Sequence, residues 1–404
     1  MFGRASVFLV LGFSGILLMY TQNLFTFSSN SVDVYTQYYT QTMAENITSS
    51  AANLACNQFF LTPTWTTGYS NVPFNGGTFN ASVSNLANNR KKITATGTYN
   101  GITKTVEVIL QPSSFARFGY YAAIMPGNLY YITGDTVSGP MHVQGKLNVW
   151  GKPVFTGKVT TKNGIKMYDA STDPQFLGGY ESGVNLPLPS TINTIKDDAT
   201  AGGKLFSNID VWLTFKADGT VDYKEGSSGV WKNEPLTTFA PNGVIDVEKG
   251  NLHIKGTVKG KITLGATLSS GTANGNIYLD DNIVYNTDPT NPNCTDMLGI
   301  VATNNVIIAD NVPNKTDIII NASIFSLKGG LQAENYNTIP NSGIIRLTGG
   351  LIEYQAQATG VFNPYTGQIT NGYNTNIRFD ERLMSQTPPS FPKSATYEVL
   401  SWFE

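Results

Sequence analysis

From Ala5 to Tyr20 the chain reads ASVFLVLGFSGILLMY without a charged residue, and Leu24, Phe25 and Phe27 carry the apolar character further. A run near the ~20 residues that cross a bilayer must be covered by lipid or by copies of itself. A cleaved export signal would show a basic start, an apolar core of roughly 7–15 residues and a small-x-small cleavage site. Here Arg4 is the only early positive charge, no Ala-x-Ala site follows, and neither Pro nor Gly interrupts Ile16 to Leu61. The pattern therefore predicts one continuous helix over residues 1–61. About 55 residues at 1.5 Å rise make a rod of roughly 80 Å. In its second half Val32, Tyr35, Tyr39, Met43, Ile47, Ala51 and Leu54 recur at steps of three or four, the spacing of one helical face. The first half is apolar all round: Val7, Phe8, Val10, Leu11, Phe13, Ile16, Leu17, Leu18, Leu24 and Phe25 cover every side. These are the candidate assembly and membrane residues, with Gly12 and Gly15 placed to let helices approach closely. The β-branched Thr21, Thr26, Val32, Val34 and Thr36 predict a weak middle that partly unwinds.

Beyond Leu61 the helical period ends. Leu61 to Asn75 is turn-rich, and Thr78–Ser84, Lys92–Tyr99 and Ile102–Leu110 read as strands. Tyr99-Asn100-Gly101-Ile102 places Asn-Gly between two of them, a strong hairpin signal. Residues 62–112 are thus expected to form a small β-sheet. From Gly139 onward, short runs of Val, Ile, Thr and Leu alternate with Gly or Asn turns. Gly145, Gly151 and Gly157 each precede a Lys, and similar islands lie at Gly250–Gly265, Gly275–Val284, Leu298–Leu331 and Ile344–Tyr354. Such spacing predicts stacked coils with apolar residues inside and Asn and Thr in ladders. The expected class is mainly β: a long N-terminal α-helix, a small β-hairpin sheet, and a right-handed parallel β-helix-like body over 113–404, with a β-sandwich as the alternative. Residues 169–241 are expected to leave the stack and pack on its side, and 376–404 to cap it.

Composition narrows the function. Charged residues make up 13% with a net charge of −2, against the usual ~25%, and no basic patch points to nucleic acid. Cys56 and Cys294 lie far apart, and either a bridge or two inert thiols fits the sequence. Asp280, Asp281, Asp288, Asp296, Asp310 and Asp317 are the candidate carboxylates for sugar chemistry; beside Asn they read first as turn residues. Asp218 to Asp222 lacks the alternating oxygens and distal glutamate of a calcium loop and reads as a hairpin turn. His142 and His253, the only histidines, read as exposed strand residues and cannot make a zinc site by themselves. No catalytic residue, metal or cofactor is predicted.

The opening helix, the run QTMAENITSSAANLACNQFF at its end and the hairpin ITATGTYNGITKTVEVIL resemble minor pilins and pseudopilins of bacterial type IV pili and related secretion systems. One position departs from that pattern: with Gly3 ending a leader, the glutamate those families carry falls on Phe8, and the first glutamate is Glu45. GPMHVQGKLNVWGKPVFTGKV, PQFLGGYESGVNLPLP, LGIVATNNVIIADN, IFSLKGGLQAENYN and FPKSATYEVLSWFE resemble a family of large surface proteins in Bacteroidetes- and Chlorobi-like bacteria. The Gly-rich coils also resemble bactofilins, which polymerise through β-helix ends.

Together these imply a non-catalytic structural subunit of a surface filament, reaching the cell surface by way of the inner membrane. Its partners would be copies of itself or other pilin-like subunits. The alternative is a membrane-anchored β-helix adhesin that binds or degrades polysaccharide, with surface glycans as ligands.

Overall fold

Hydrophobic periodicity switches once along the chain, and the fold switches with it. The computed structural model describes residues 3–363 and 368–403. Met1 and Phe2 of the expected helix, and Glu404 of the expected cap, lie outside the described residues. Two units are present: one runs through Pro112 and takes in the chain from Thr396, and the other is Ser113–Ala395.

In the first unit the helix α1 spans Gly3–Leu61 without a break. The expected unwinding does not occur. Thr21, Thr26 and Thr36 each turn the hydroxyl back to a carbonyl four residues earlier, at 2.8–2.9 Å, so these β-branched residues satisfy their own polar atom within the helix. Its last turns lie on a five-stranded sheet of β1 (Tyr69–Phe74), β2 (Gly77–Asn85), β3 (Lys91–Tyr99), β4 (Ile102–Ser114) and the closing strand Lys393–Phe403, in that order, with β1 to β4 antiparallel. The β3–β4 turn pairs Tyr99 with Ile102, and Asn100 and Gly101 both take positive φ (46° and 82°), as a tight primed turn requires.

In the second unit nearly all pairings are parallel and join segments far apart in sequence, so the sandwich alternative, built of antiparallel sheets, is not what forms. Three ladders run side by side. Along the first the order is Lys204–Ser207, Val244–Glu248, Lys261–Thr267, Met297–Ala302, then the later halves of Ile318–Ser326 and Asn341–Gln355. It continues not with later sequence but with Tyr120–Ile124, Met141–Val143, Val159–Thr161 and Tyr180–Ser182. The chain thus enters the stack midway, winds out to one end, crosses to the other end and winds back to where it entered.

Side chains alternate along the first ladder. Ile245, Val247, Leu264, Ile300, Ile324 and Leu351 point into the lumen core. Val244, Val301, Phe325, Ile352 and Tyr121 point outward into a second core. Strands buried on both faces need near-continuous apolar sequence, which VIDVE, MLGIVA and IIINASIFS supply. The outer core is closed by the crossing segment, whose helix α2 (Asn193–Gly202) inserts Ile195 and Ala199. Tyr121 donates to the Leu186 carbonyl at 2.8 Å and fastens the start of that segment.

The stretch 169–241, expected as one excursion, therefore divides. Tyr180–Ser182, Lys204–Ser207 and Val211–Phe215 are members of the ladders, and the chain between 183 and 203 runs outside them. The expected cap 376–404 also divides, since Ile369–Phe379 pairs within the second unit while the closing strand joins the sheet of the first.

The two ends of the stack differ. At one, Val211–Phe215 is covered by antiparallel Thr220–Glu225 and then Lys232–Pro235. At the other, the outermost strands leave Met167, Tyr168 and Leu177 53%, 55% and 69% exposed.

Glycine serves close approach at one corner. A Cβ on Gly157 would fall 2.1 Å from the Gly139 carbonyl oxygen, and one on Gly178 would fall 2.2 Å from Gly157.

Candidate functional site

Helix α1 changes character near Thr40. Every described side chain before it is exposed, and every fourth or third residue after it is buried. Val7, Phe8, Val10, Leu11, Phe13, Ile16, Leu17, Leu18, Leu24 and Phe25 are all among the exposed large hydrophobics, from 49% for Leu24 to 77% for Phe25. Among the described residues, nothing beyond the helix's own nearby backbone lies within 4 Å of where a Cβ would stand on Gly12 or Gly15. The helix is long and apolar enough to cross a membrane, with none of its apolar window buried in the chain. Its backbone is satisfied internally, as a lipid surrounding demands. Ser31 bonds back to Phe27 in the manner of the threonines.

The buried stripe of the second half is Thr40, Ala44, Ile47, Thr48, Ala51, Ala52, Ala55, Cys56 and Phe59. It shares Ile47 and Ala51 with the expected face, but Val32, Tyr35, Tyr39 and Leu54 are exposed. The reason is distance. The helix rests on β3 so closely that a Cβ on Gly97 would stand 2.6 Å from the Thr48 backbone nitrogen and 3.0 Å from the Ala44 oxygen. Small residues, not the large ones, mark the contact. Phe59 closes the far end against Tyr397, edge to face at 4.9 Å. Both cysteines are free and buried, and burial pushes the Cys56 thiol up to about 11.

The candidate carboxylates do not converge. Asp280 meets His253 at 3.0 Å, and Asp296 accepts from the Gly260 and Thr287 amides at 2.7 and 2.8 Å. Asp317 pairs with Arg346 at 2.9 Å, and Asp310 accepts from Asn335 at 3.0 Å. Asp281 and Asp288 accept from the amides of Asn282 and Thr290. Hydrogen bonds from Thr290 hold Asp288 below the usual carboxylate range. Among the described residues no group of three or more His, Cys, Asp or Glu is placed to hold a metal. Asp218 accepts from Thr220 in a tight turn, as expected.

Both histidines correct the sequence reading, for neither is exposed. His142 is fully buried, stacked on Tyr121 and bonded to Thr160 and Gln144, and burial pushes its pKa down. His253 is half-buried between Trp212 and Tyr278, with ring centroids at 4.5 and 4.7 Å. The three occupy one register position on neighbouring coils. Their faces cover one another, and Lys224 covers the free face of Trp212 at 4.5 Å, which leaves edges rather than the open faces a stacked sugar would need.

A buried carboxyl was missed entirely. Glu353 is 3% exposed, accepts from the Tyr120 hydroxyl at 2.8 Å and from the Leu331 amide at 3.2 Å, and burial pushes it up to about 8. In sequence it sits in the run LIEYQ, where alternation alone does not say which face is inward.

Residues 73–163 match a family described as a domain of unknown function, DUF4900. The match covers under a quarter of the chain and runs from the first unit into the second. Among curated proteins none is significantly similar. The crystal structure of a competence-associated pilin, ComZ, from Thermus thermophilus aligns with 90% of this chain and 97% of its own, at 11% identity and a TM-score of 0.34. Likeness at that level leaves function to be argued from this chain's own residues.

Proposed function

We propose that the protein is a non-catalytic structural subunit of a surface filament, held in the inner membrane by the first half of α1 and assembled through the same surface. Its neighbours in the assembly are copies of itself or other pilin-like subunits. One observation carries the reading: an apolar helical surface whose large side chains are exposed on every side among the described residues. Full burial of a large apolar side chain gains about 1.5–3 kcal/mol, so a set of this size far outweighs surface ion pairs worth ~0–1 kcal/mol each. Lipid covers it before assembly and neighbouring helices afterwards, with Gly12 and Gly15 allowing close approach. We read the second unit as the right-handed parallel β-helix expected from the sequence. Its parallel ladders support the architecture, and the general preference for right-handed crossovers supports the hand.

Leu11→Asp and Leu17→Asp test the proposal. A carboxylate at the bilayer centre costs about 2.5–3.5 kcal/mol on insertion scales, and every subunit repeats it. Both variants should lose membrane retention and filament incorporation while the circular dichroism of the β units stays unchanged. Lys152→Glu should do neither, since its nearest acid, Asp173, is 3.9 Å away and both are largely exposed. Normal assembly of Leu17→Asp would refute the role of the helix.

The open end of the stack favours a second reading, in which coils of neighbouring copies meet at Met167, Tyr168 and Leu177. It predicts the reverse result: Leu177→Asp abolishes assembly and Leu17→Asp does not.

A further inference from the structure

Where the chain's two windings meet, the stack is incompletely closed. The first ladder continues across the junction through Leu351 and Tyr120. Near the third, the Phe379 amide reaches the Ser138 hydroxyl at 2.7 Å. On the second, Leu331–Ala333 pairs with Val306–Ile308, and the first element of the other winding is only the Tyr131–Val149 bridge. A strand's worth of space is left there, and a cavity of about 620 Å³ occupies it. That volume is in the range of small-molecule sites.

The lining has a definite chemistry. Tyr120, Tyr131, Tyr373 and Met125 contribute aromatic and soft apolar surface, and Glu353 and Asp135 contribute carboxyls. No Lys, Arg or His lines the cavity among the described residues. Tyr120 donates its hydroxyl to Glu353 at 2.8 Å, and the Tyr120 and Tyr131 rings meet edge to face at 5.8 Å. An anion would find no positive side chain in this lining to pair with. A hard metal ion would want more oxygen ligands than converge here. Tyrosine rings around a carboxylate are the surroundings that hold an organic cation, through ring faces and a counter-ion together.

We propose that this cavity binds a small organic cation, an ammonium or guanidinium with an apolar substituent, with Glu353 as counter-ion and Tyr120 and Tyr131 as walls. The site is independent of filament assembly. Burial raises the Glu353 carboxyl to about 8 and raises that of Asp135 above its ordinary value. Of the groups facing Glu353, Tyr120 and Tyr131 are held neutral far above their ordinary range. An arriving cation would therefore displace the proton of Glu353, which leaves to solvent.

Calorimetry on the full-length protein in detergent, with benzylamine as probe and benzyl alcohol as its neutral counterpart, tests this. At pH 7 benzylammonium should bind at least about ten-fold tighter than the alcohol. Its apparent heat should differ between phosphate and Tris by the ionisation heat of up to about one proton released per site. Glu353→Gln should lose the preference for the amine and the proton release, without a lower thermal midpoint. Tyr131→Leu should weaken the amine while keeping the proton release. Absence of benzylamine binding, equal affinity for the two probes, buffer-independent heat in the wild type, or unchanged binding by Glu353→Gln would each overturn the proposal.

Discussion

Asn276 illustrates how single residues join one coil to the next. Its amide and side-chain nitrogens both donate to Asn251 Oδ1 at 3.1 Å, and its own Oδ1 accepts from the Asn305 amide at 3.1 Å. Asn305 repeats the gesture toward the Gly330 amide. Asn276→Ala should cost about 2–3 kcal/mol, because the Asn305 amide loses its acceptor, read as a lowered midpoint in urea. Asp246 carries the opposite burden. One oxygen accepts from Thr267, the other has no partner among the described residues, and burial pushes the carboxyl from its ordinary 3.8 up to about 7. A carboxyl raised on folding binds more protons in the native state, so its contribution to stability falls as pH rises from about 4 to about 7 and is flat above. Asp246→Asn should remove that fall; a midpoint–pH curve identical to wild type would contradict it. The Asn ladder was legible as a composition, Asn repeated at coil turns. Asp246 and Glu353 were not, because which face a lone acid takes within an apolar strand depends on its neighbours across the ladder.

At the scale of elements, what local chemistry decides was readable and what distant register decides was not. The helix and the Asn-Gly hairpin are set by contiguous residues, and both form where expected. The helix face was misread because large side chains were weighted over the small ones that permit close contact. Gly97→Ala should therefore destabilise the first unit by at least about 1–3 kcal/mol, since rigid backbone blocks the added methyl; differential unfolding of that unit would detect it. The order of coils was beyond reach of the sequence, since nothing in residues 341–355 announces 120–124 as their neighbour. Holding that order falls to the crossing segment, whose Ile195 is fully buried. Ile195→Ala should cost about 2–5 kcal/mol and open the chain between 183 and 203 to limited proteolysis. Resistance equal to wild type would mean the crossing is held elsewhere.

For the whole molecule, the two units distribute their apolar surface unequally. The ladders hide theirs in a lumen and an outer core, while α1 leaves its first half open. Assembly through that half is the central claim, and copy-to-copy cross-linking tests it most directly. Single cysteines placed at Phe8, Leu11, Phe13, Leu17 and Leu24, and separately at Met167 and Leu177, would be oxidised in intact cells. Native Cys56 and Cys294 are buried and give a low background. The account predicts cross-linked copies from positions on every side of the helix and none from the open end of the stack. Cross-links confined to Met167 and Leu177, with the helix positions reactive only toward lipid-soluble reagents, would contradict it.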